Sequence, residues 1–261
     1  MIKQISSSDN DEIKFLKKII SRSSFRHSEK LFVAEGLRQV FDIDRSLIKR
    51  LYLSSSFYNK HKDTLKGSYD KLRIVSDNIF NKITPTENSQ GIMALVKMKG
   101  VSLVEYLKDS NFLLVLDHIS DPGNMGTIIR TAEAAGVELI LCVGCVDIYN
   151  PKVVRSTMGA ITRQNIVTLD NEVEVIKLLK DNGIRMISST LEAKNNYRNF
   201  NYPKKLALIM GSEAHGISET FIKESDITIK IDMSGKIDSL NVGVATGILL
   251  YEIRNAINID F

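Results

Sequence analysis

The stretch that decides the fold is residues 112–136, which read FLLVLDHISDPGNMGTIIRTAEAAG. It opens with a short apolar run, Phe112–Leu116, which is typical of a strand buried on both faces. A loop of small and polar residues follows, and then a helix that we predict over 124–135. An apolar strand that leads through a short loop into a helix is the repeating unit of a parallel sheet covered by helices.

The same alternation extends in both directions along the chain. Toward the C-terminus we predict strands at 138–143, 166–169, 185–189, 206–210 and 227–231, and helices at 171–181, after Ser218 and at 240–257. Toward the N-terminus we predict helices at 10–20, from after Gly36 to about Ile43, and at 77–83, and strands at 31–34, 51–53, 72–75 and 92–96. The charged residues 97–110, with Gly100, resemble a connection. The sequence therefore predicts an α/β protein with domains at 1–100 and 111–261 and a linker at 101–110.

Composition excludes several classes of protein. The chain has 261 residues, of which 43% are hydrophobic and 25% are charged, and these are ordinary globular values. Two cysteines are too few for a disulfide scaffold. No apolar run reaches the roughly 18 residues that span a bilayer, and the polar, acidic N-terminus is unlike a signal peptide. We therefore expect a cytoplasmic protein that does not associate with membranes.

Charge is distributed unevenly between the two parts of the chain. Residues 1–105 contain 19 Lys and Arg against 12 Asp and Glu, whereas residues 106–261 contain 16 against 19. A basic first part indicates a module that binds a polyanion such as nucleic acid. A solvated surface that is simply rich in lysine remains an alternative on charge alone.

Three loops that follow predicted strands are rich in small and polar residues, namely 117–130, 211–216 and 231–242. Neither the Rossmann glycine pattern nor the P-loop pattern is present, so a dinucleotide or phosphate site has no support. Glycines also allow two backbone segments, or a backbone and a ligand, to approach closely. Ligands of parallel sheets bind beyond the carboxyl ends of the strands, which is where these loops lie. Tight turns without a ligand are the alternative for any one of them.

Arg130 is the charged residue with the most informative surroundings. It follows Gly126 on a helix whose neighbouring positions Ile128 and Ile129 are apolar. An arginine on an otherwise apolar helix wall binds an anion or a carboxylate in most cases. The alternative is an ion pair with Glu133 or Glu213.

The remaining candidates give no catalytic or metal site. Cys142 and Cys145 form a single C-x-x-C in an apolar pattern, for which buried core thiols are the better interpretation than metal or redox chemistry. The histidines have no metal-ligand spacing. Asp117 and Asp121 could bind a cation, but acidic residues near the start of a helix more often cap it. We therefore predict no metal.

Together the three loops resemble the motifs of the SpoU/TrmH-type RNA 2′-O-ribose methyltransferases of the SPOUT class. The first loop resembles the N-x-G-x-x-x-R motif, the second G-x-E-x-x-G and the third I-P-M…S-L-N, although Asp232 stands where proline is usual. Three other segments also fit the family, and the two in the first part of the chain resemble its substrate-binding domain. These are 32–36, which read FVAEG, 90–92, which read QGI, and 149–159.

The resemblance implies a C-terminal parallel-sheet SPOUT domain with a deep trefoil knot, preceded by a smaller α/β RNA-binding domain. It also implies a homodimer and the cofactor S-adenosyl-L-methionine, which would transfer its methyl group to a ribose 2′-hydroxyl of RNA. By family position, the cofactor-binding residues are Thr190, Gly211, Ile231, Met233 and Leu240. The catalytic residues are Arg130, Asn124, Glu213, Ser239 and Asn241. We expect Arg22, Arg26 and Arg38 in the first domain to bind RNA.

Arg130 would bind the target phosphate and stabilise a developing alkoxide, since the pKa of a guanidinium, above about 12, makes it a poor base. The basic two-domain arrangement favours ribosomal RNA over tRNA as the substrate. Two further hypotheses are a non-catalytic RNA-binding protein with a degenerate methyltransferase domain and a Rossmann-type NAD-dependent oxidoreductase. The oxidoreductase lacks its glycine pattern.

Overall fold

The computed structural model describes residues 2–62, 71–84, 86, 88–198, 200–212 and 214–257. Its contacts divide the chain into two compact units. Unit 1 consists of Met1–Lys99 with Tyr149–Thr162, and unit 2 consists of Gly100–Ile148 with Arg163–Phe261.

Unit 1 is built on a mixed sheet of five strands. The strands are β1 (Lys3–Ile5), β2 (Leu31–Glu35), β3 (Ile48–Ser54), β4 (Leu72–Val75) and β5 (Ile92–Lys97), in the order β1-β4-β3-β5-β2. The pairs β1/β4 and β3/β4 are parallel, whereas β5 runs antiparallel to both β3 and β2. The helices that precede residue 100 are α1 (Asp11–Ser21), α2 (Ser23–Glu29), α3 (Leu37–Asp42), α4 (Ser55–His61) and α5 (Asp77–Ile83).

Helix α1 shows how the sequence pattern builds the core of unit 1. Asn10 begins the helix, because its side chain accepts a hydrogen bond from the backbone N–H of Glu12 at 2.9 Å. Ile13, Leu16 and Ile19 recur at helical spacing and are all fully buried in the core cluster of the unit.

The exposed side of the same helix is tied to the sheet by Glu12. Its carboxylate contacts Lys3 Nζ at 2.7 Å, Arg50 Nη1 at 3.0 Å and Arg73 Nε at 3.1 Å. Burial raises the pKa of Glu12, but the hydrogen bonds from these three cations outweigh it and hold the pKa below its ordinary value. The helix, β1, β3 and β4 are therefore joined through one carboxylate.

Unit 2 is built on a parallel sheet of seven strands. The strands are β6 (Phe112–Asp117), β7 (Leu139–Val143), β8 (Ile166–Leu169), β9 (Arg185–Ser189), β10 (Asn195–Asn196), β11 (Leu206–Gly211) and β12 (Ile227–Lys230), in the order β10-β12-β9-β11-β6-β7-β8. The helices are α6 (Leu103–Asp109), α7 (Pro122–Ala135), α10 (Glu172–Asp181), α11 (Glu219–Glu224) and α12 (Val242–Ala256). Two short helices, α8 (Pro151–Ser156) and α9 (Ala160–Arg163), lie between β7 and β8 in the chain.

The central strands of this sheet are apolar because both of their faces are covered. All six residues of β6 and all five of β7 are buried, which is the pattern expected of parallel strands between helical layers. Strand β6 pairs in parallel with β11 on one side and with β7 on the other. The loops that follow β6, β9, β11 and β12 therefore leave the same edge of the sheet.

The predicted α/β class and the parallel C-terminal sheet are confirmed, and the domain boundaries differ in two places. The linker predicted at 101–110 contains α6, whose Leu107 is buried in the core of unit 2. The segment Tyr149–Thr162 belongs to unit 1, where Phe32 of β2 packs on Tyr149 with ring centroids 4.9 Å apart. None of the helices in the described part of the chain is long and apolar enough to cross a membrane.

Candidate active site

The loop after β6 is fixed by a buried aspartate. Asp117 is 1% exposed, accepts a hydrogen bond from the backbone N–H of Ser218 at 2.7 Å, and lies 2.6 Å from Nδ1 of His118. Ser218 precedes α11, so this carboxylate joins the loop after β6 to the segment after β11. No pattern in the sequence predicts this contact, because the two residues are far apart in the chain.

Asp121 caps the start of α7. Its carboxylate accepts a hydrogen bond from the backbone N–H of Asn124 at 2.8 Å, and Pro122 occupies the first helical position. In the described part of the chain, Asp117, His118 and Glu172 form a group whose potential ligand atoms lie within 4.8 Å of one another. Both oxygens of Asp117 are engaged by Ser218 and His118, so we assign Asp117 and His118 to the hydrogen-bond network of the loop.

Two of the predicted catalytic residues, Asn124 and Asn241, contact each other across a long stretch of sequence. Nδ2 of Asn241 donates to Oδ1 of Asn124 at 2.8 Å, and Oδ1 of Asn241 accepts from the backbone N–H of Val244 at 3.2 Å, which begins α12. The start of α7 is thereby joined to the start of α12. The two helices also pack against each other, and a Cβ on Gly243 would lie 3.2 Å from Cγ2 of Thr127.

A cavity of about 520 Å³ lies at the carboxyl edge of the sheet in unit 2. All five predicted cofactor residues line it, together with the predicted catalytic residue Ser239. The lining residues that come from the loops after β9, β11 and β12 include Thr190, Gly211, Ser212, Gly216, Ile231, Met233, Ser239 and Leu240. The sequence motifs did not single out Ser189, Leu191 or His215, which also line it. Their position after a strand end was the one signal that could have found them.

Gly211 shows how tightly the backbone is packed beside this cavity. A Cβ placed on Gly211 would overlap the backbone of Gly216 and Ile217. The backbone N–H of Gly216 donates to the carbonyl of Ser212 at 2.8 Å, and Gly216 has a positive φ of 68°. The chain therefore folds back directly onto the end of β11, and the wall of the cavity there is main chain rather than side chain.

The lining carries one carboxylate, that of Glu192, and its other side chains are apolar or polar without a fixed charge. Its described residues include no lysine and no arginine, and they combine apolar side chains such as Ile231 and Leu240 with hydroxyl groups such as those of Thr190 and Ser239. A lining of this kind suits an uncharged ring system with a few polar substituents better than a polyphosphate, which needs cations or a ring of N–H donors.

Arg130 is exposed on α7 and is absent from the described lining of this cavity. The alternative ion pair with Glu133 does not form, because Glu133 instead accepts a hydrogen bond from Nε of Arg163 at 2.6 Å. Glu213, the other possible partner and a predicted catalytic residue, lies outside the described residues. The guanidinium of Arg130 therefore faces solvent in a single copy of the chain.

The two cysteines differ from each other. Cys142 is fully buried in β7, as predicted, whereas Cys145 is half-buried beside it and its thiol lies 3.3 Å from the carbonyl of Leu116. The contact with Cys145, together with burial, raises the pKa of Cys142 well above its ordinary value. A deeply buried, protonated thiol is a core residue and not a nucleophile.

The three arginines expected to bind RNA lie in different environments. Arg22 and Arg38 are exposed, as a phosphate contact requires. Arg26 is only 4% exposed, and its Nη1 donates to the carbonyls of Ile19 and Ile20 at 2.8 and 2.9 Å. The prediction for Arg26 is corrected accordingly, since its guanidinium satisfies carbonyls at the end of α1.

Comparison with known proteins agrees with this geometry. The SpoU rRNA Methylase family matches residues 111–251, and the MRM3-like substrate binding domain matches residues 10–94. The 23S rRNA (guanosine(2553)-2′-O)-methyltransferase RlmP of Bacillus subtilis is 29% identical, over 97% of this chain and 100% of the relative. An uncharacterized tRNA/rRNA methyltransferase of Borreliella burgdorferi is 34% identical, over 72% of this chain and 89% of the relative.

A solved structure extends the likeness to three dimensions. The AdoMet-bound rRNA methyltransferase from Sinorhizobium meliloti superimposes with a TM-score of 0.83 at 28% identity, and the match covers 97% of this chain and 98% of that one. The family match spans more than half of the chain and includes the strands, helices and loops that form the cavity. The chain belongs to the SpoU rRNA methylase family.

Proposed function

We propose that this protein transfers a methyl group from S-adenosyl-L-methionine to a ribose 2′-hydroxyl of structured RNA, and that the RNA is ribosomal. The observation that supports it most strongly is the cavity in unit 2, because the five residues assigned to the cofactor by family position all line it. The matched relatives named as rRNA methyltransferases favour ribosomal RNA over tRNA.

The residues of the cavity fit S-adenosyl-L-methionine. Its volume of about 520 Å³ is sufficient for a nucleoside with an amino-acid arm. A sulfonium cation requires no phosphate-binding loop, and the described lining offers no cationic side chain that would repel it. We propose that the main chain around Gly211, Ile231 and Leu240 holds the adenosine, with Thr190 and Met233 beside it. When bound, this cofactor supplies an activated methyl group.

We further propose that the chain forms a deep trefoil knot in this region, as the family resemblance implies. Two long-range contacts support it: the hydrogen bond between Asp117 and Ser218, and the pairing of Asn124 with Asn241. Each joins a segment that precedes β7 to one that follows β11.

The catalytic roles are those that the family resemblance implies. We assign Arg130 to the target phosphate and to the negative charge that develops on the 2′-oxygen as its proton leaves. Asn124 and Asn241 hold the starts of α7 and α12 together, which fixes the helix that presents Arg130. Ser239 lines the cavity and would contact the reacting groups, and Glu213 is assigned to orient Arg130 or the substrate. Alignment of this kind lowers a barrier by roughly 7–11 kcal/mol.

A homodimer explains the position of Arg130. Because Arg130 is exposed and does not line the cavity of its own chain, we propose that it acts at the cavity of a second copy. The exposed apolar residues of α12 are consistent with such a contact, since Val244 is 52% and Tyr251 is 44% exposed. We also propose that the protein acts in the cytoplasm, where ribosomal RNA is made available to it.

Complementation between two inactive variants tests this arrangement. Arg130→Ala removes the guanidinium, and Thr190→Tyr fills the cavity. If Arg130 acts on the partner's cavity, a mixture of the two variants regains activity, because mixed dimers contain one complete site. If Arg130 acts within its own chain, the mixture stays inactive and the proposed arrangement is wrong.

Binding and methyl transfer test the function itself. Isothermal titration calorimetry with S-adenosyl-L-methionine should give saturable binding that Thr190→Tyr abolishes, whereas the exposed Lys194→Ala should leave it unchanged. Methyl transfer to ribosomal RNA should then appear as a nucleotide resistant to alkaline hydrolysis at its 3′ side. Cofactor binding without methyl transfer to any RNA would instead favour a non-catalytic RNA-binding protein.

A further inference from the structure

Unit 1 contains a second cavity, of about 240 Å³, that the proposed reaction does not use. It lies where β2 meets α3, beside the segment that precedes β5, and against α8. Glu35, Gln90 and Arg155 line it, and each belongs to one of the three sequence segments that resemble the family but have no place in the methyl-transfer site. The three segments therefore meet at one point in space.

Glu35 has one oxygen that is fully engaged and one that is not. Oε1 accepts hydrogen bonds from three hydroxyl groups, those of Thr84, Thr86 at 2.7 Å and Ser89 at 2.7 Å. Oε2 is buried and has no hydrogen-bond partner among the described residues. The three hydroxyls fix the orientation of the carboxylate, so its second oxygen is held in place without a donor.

Gln39, in the first turn of α3, likewise has one polar side-chain atom with a hydrogen-bond partner and one without. It is only 4% exposed, and its Nε2 donates to the carbonyl of Val154 at 2.6 Å, which identifies the other amide atom as the oxygen. That oxygen, Oε1, is also buried without a partner in the described part of the chain. Buried polar atoms nearly always have hydrogen-bond partners, and two unpaired acceptors beside one cavity call for a ligand that brings donors.

The rest of the cavity indicates what kind of ligand brings them. Arg38 and Arg155 are exposed at its border, so they are available to phosphate groups, and Met158 gives it an apolar wall. Acceptors inside, an apolar surface beside them and cations at the border match a nucleotide, with the base inward and the phosphates outward. Proteins recognise single-stranded RNA by binding bases that have left the stack in this way.

Resting on the proposed RNA substrate, we propose that this cavity binds one unstacked nucleobase that carries an exocyclic amino group, through Glu35 and Gln39. Guanine, adenine and cytosine each present an N–H₂ donor, whereas uracil presents a single N–H between two carbonyl oxygens. Uracil would place its carbonyl oxygens against the two unpaired acceptors. The cavity would therefore select the substrate by its sequence, at a site separate from the methylated ribose.

The unmodified protein provides the first test. Fluorescein-labelled RNA pentamers of sequence UUXUU are titrated at one fixed salt concentration, with X as guanosine, adenosine, cytidine, inosine or uridine. We expect guanosine, adenosine and cytidine to bind roughly tenfold tighter than uridine, because a well-formed base contact discriminates by about that factor or more. Inosine, which lacks the amino group of guanosine, should bind more weakly than guanosine. Equal affinity for all five, or no measurable binding to any, overturns the proposal.

A single substitution should reverse the preference. Glu35→Gln keeps one oxygen for the three hydroxyls and replaces the free oxygen by an N–H₂ donor, which suits the carbonyl oxygen of uracil. We expect the pentamer with uridine to bind at least as tightly as the one with adenosine. Glu29→Gln removes the same charge from an exposed position on α2 and should leave the order unchanged. Arg155→Ala should weaken all five pentamers by a similar factor, since phosphates carry no base identity.

The outcome is independent of methyl transfer, since the titrations contain no S-adenosyl-L-methionine. A protein that methylates RNA but does not discriminate among the pentamers refutes the base pocket alone. A protein that selects its base yet neither binds the cofactor nor methylates RNA refutes the proposed function and leaves the pocket standing. If Glu35→Gln lowers the melting temperature markedly, the series with the unmodified protein decides the question.

Discussion

The two cavities of this protein are built from different parts of the polypeptide. The cavity of unit 2 is walled in part by main chain, which approaches so closely at Gly211 that a methyl group does not fit. The cavity of unit 1 is walled by side chains, two of which keep an unpaired acceptor. A cofactor that is always the same molecule can be bound by backbone atoms. An RNA substrate whose sequence varies is better selected by side chains, because a single substitution can alter one side chain at a time.

The largest effect is expected from adding one methyl group at Gly211. Gly211→Ala places a Cβ against the backbone of Gly216 and Ile217, so we expect a loss of about 3 kcal/mol or more in the free energy of unfolding and no detectable cofactor binding. Gly235→Ala is the matched control, because nothing lies within 4 Å of the added atom and its φ is not positive. Urea unfolding and calorimetry measure both effects. Equal stability of the two variants would show that the backbone there can move.

Arg130→Ala should have the next largest effect, and on a different quantity. We expect methyl transfer to fall by roughly 100- to 1,000-fold, the usual result of removing one group that stabilises transition-state charge. Affinity for S-adenosyl-L-methionine should not change, because we assign Arg130 to the target phosphate and the 2′-oxygen of the RNA and not to the cofactor. Lys177→Ala, at an exposed position on α10, serves as the control. Weaker cofactor binding by Arg130→Ala would contradict that assignment.

A smaller effect should separate the Asn124–Asn241 contact from ordinary helix capping. Asn241→Ala removes the cap of α12 and the hydrogen bond to Asn124 of α7. Asn171→Ala removes only the cap of α10, in which the Asn171 side chain accepts from the backbone N–H of Glu174 at 2.9 Å. We expect the loss of a cap alone to lower the free energy of unfolding by about 1 kcal/mol. A double-mutant cycle should show an additional coupling energy of at least about 0.5 kcal/mol between Asn241 and Asn124. Strict additivity would mean that the link does not contribute to stability.

The smallest effect concerns unit 1 and its dependence on pH. The three cations beside Glu12 hold its pKa below the ordinary value, so its contribution to stability is complete above the unfolded pKa, about 4.3, and is lost as pH falls through the lower folded pKa. Glu12→Gln should therefore lower the free energy of unfolding at neutral pH by about 0.2–1 kcal/mol and reduce the loss of stability on acidification. Melting temperatures between neutral and acidic pH measure this, with Glu29→Gln as the control. Parallel pH profiles for the unmodified protein and Glu12→Gln would contradict it.

Much of the fold could be predicted because buried parallel strands are short apolar runs with clear ends. The strands β6, β7 and β11 were located within a residue or two, and so was α7, whose start is marked by Asp121 and Pro122. The short helices α2 and α4 escaped prediction because each buries a single residue and so shows no apolar periodicity, whereas the equally short α5, which buries three, was predicted.

The three loops of the candidate site were predictable because they follow strands whose carboxyl ends lie at one edge of a parallel sheet. The individual cofactor residues, such as Gly211, Ile231 and Leu240, came from the family resemblance, and all of them line the cavity. The burial of Arg26 was not predictable in this way, because its carbonyl partners at the end of α1 depend on how α2 turns. Nor was the group of segments around Glu35, whose members come from three distant parts of the chain.

The passage of Tyr149–Thr162 into unit 1 has a practical consequence for dissecting the protein. The polypeptide leaves unit 2 after Ile148 and returns at Arg163, so a single cut near residue 100 releases neither unit whole. The N-terminal fragment would lose the helix that supplies Arg155, and the C-terminal fragment would retain that helix without the strand it packs on. Recombination that transfers unit 1 between relatives would have to exchange Met1–Lys99 and Tyr149–Thr162 together. The two segments of unit 1 are therefore expected to be inherited together.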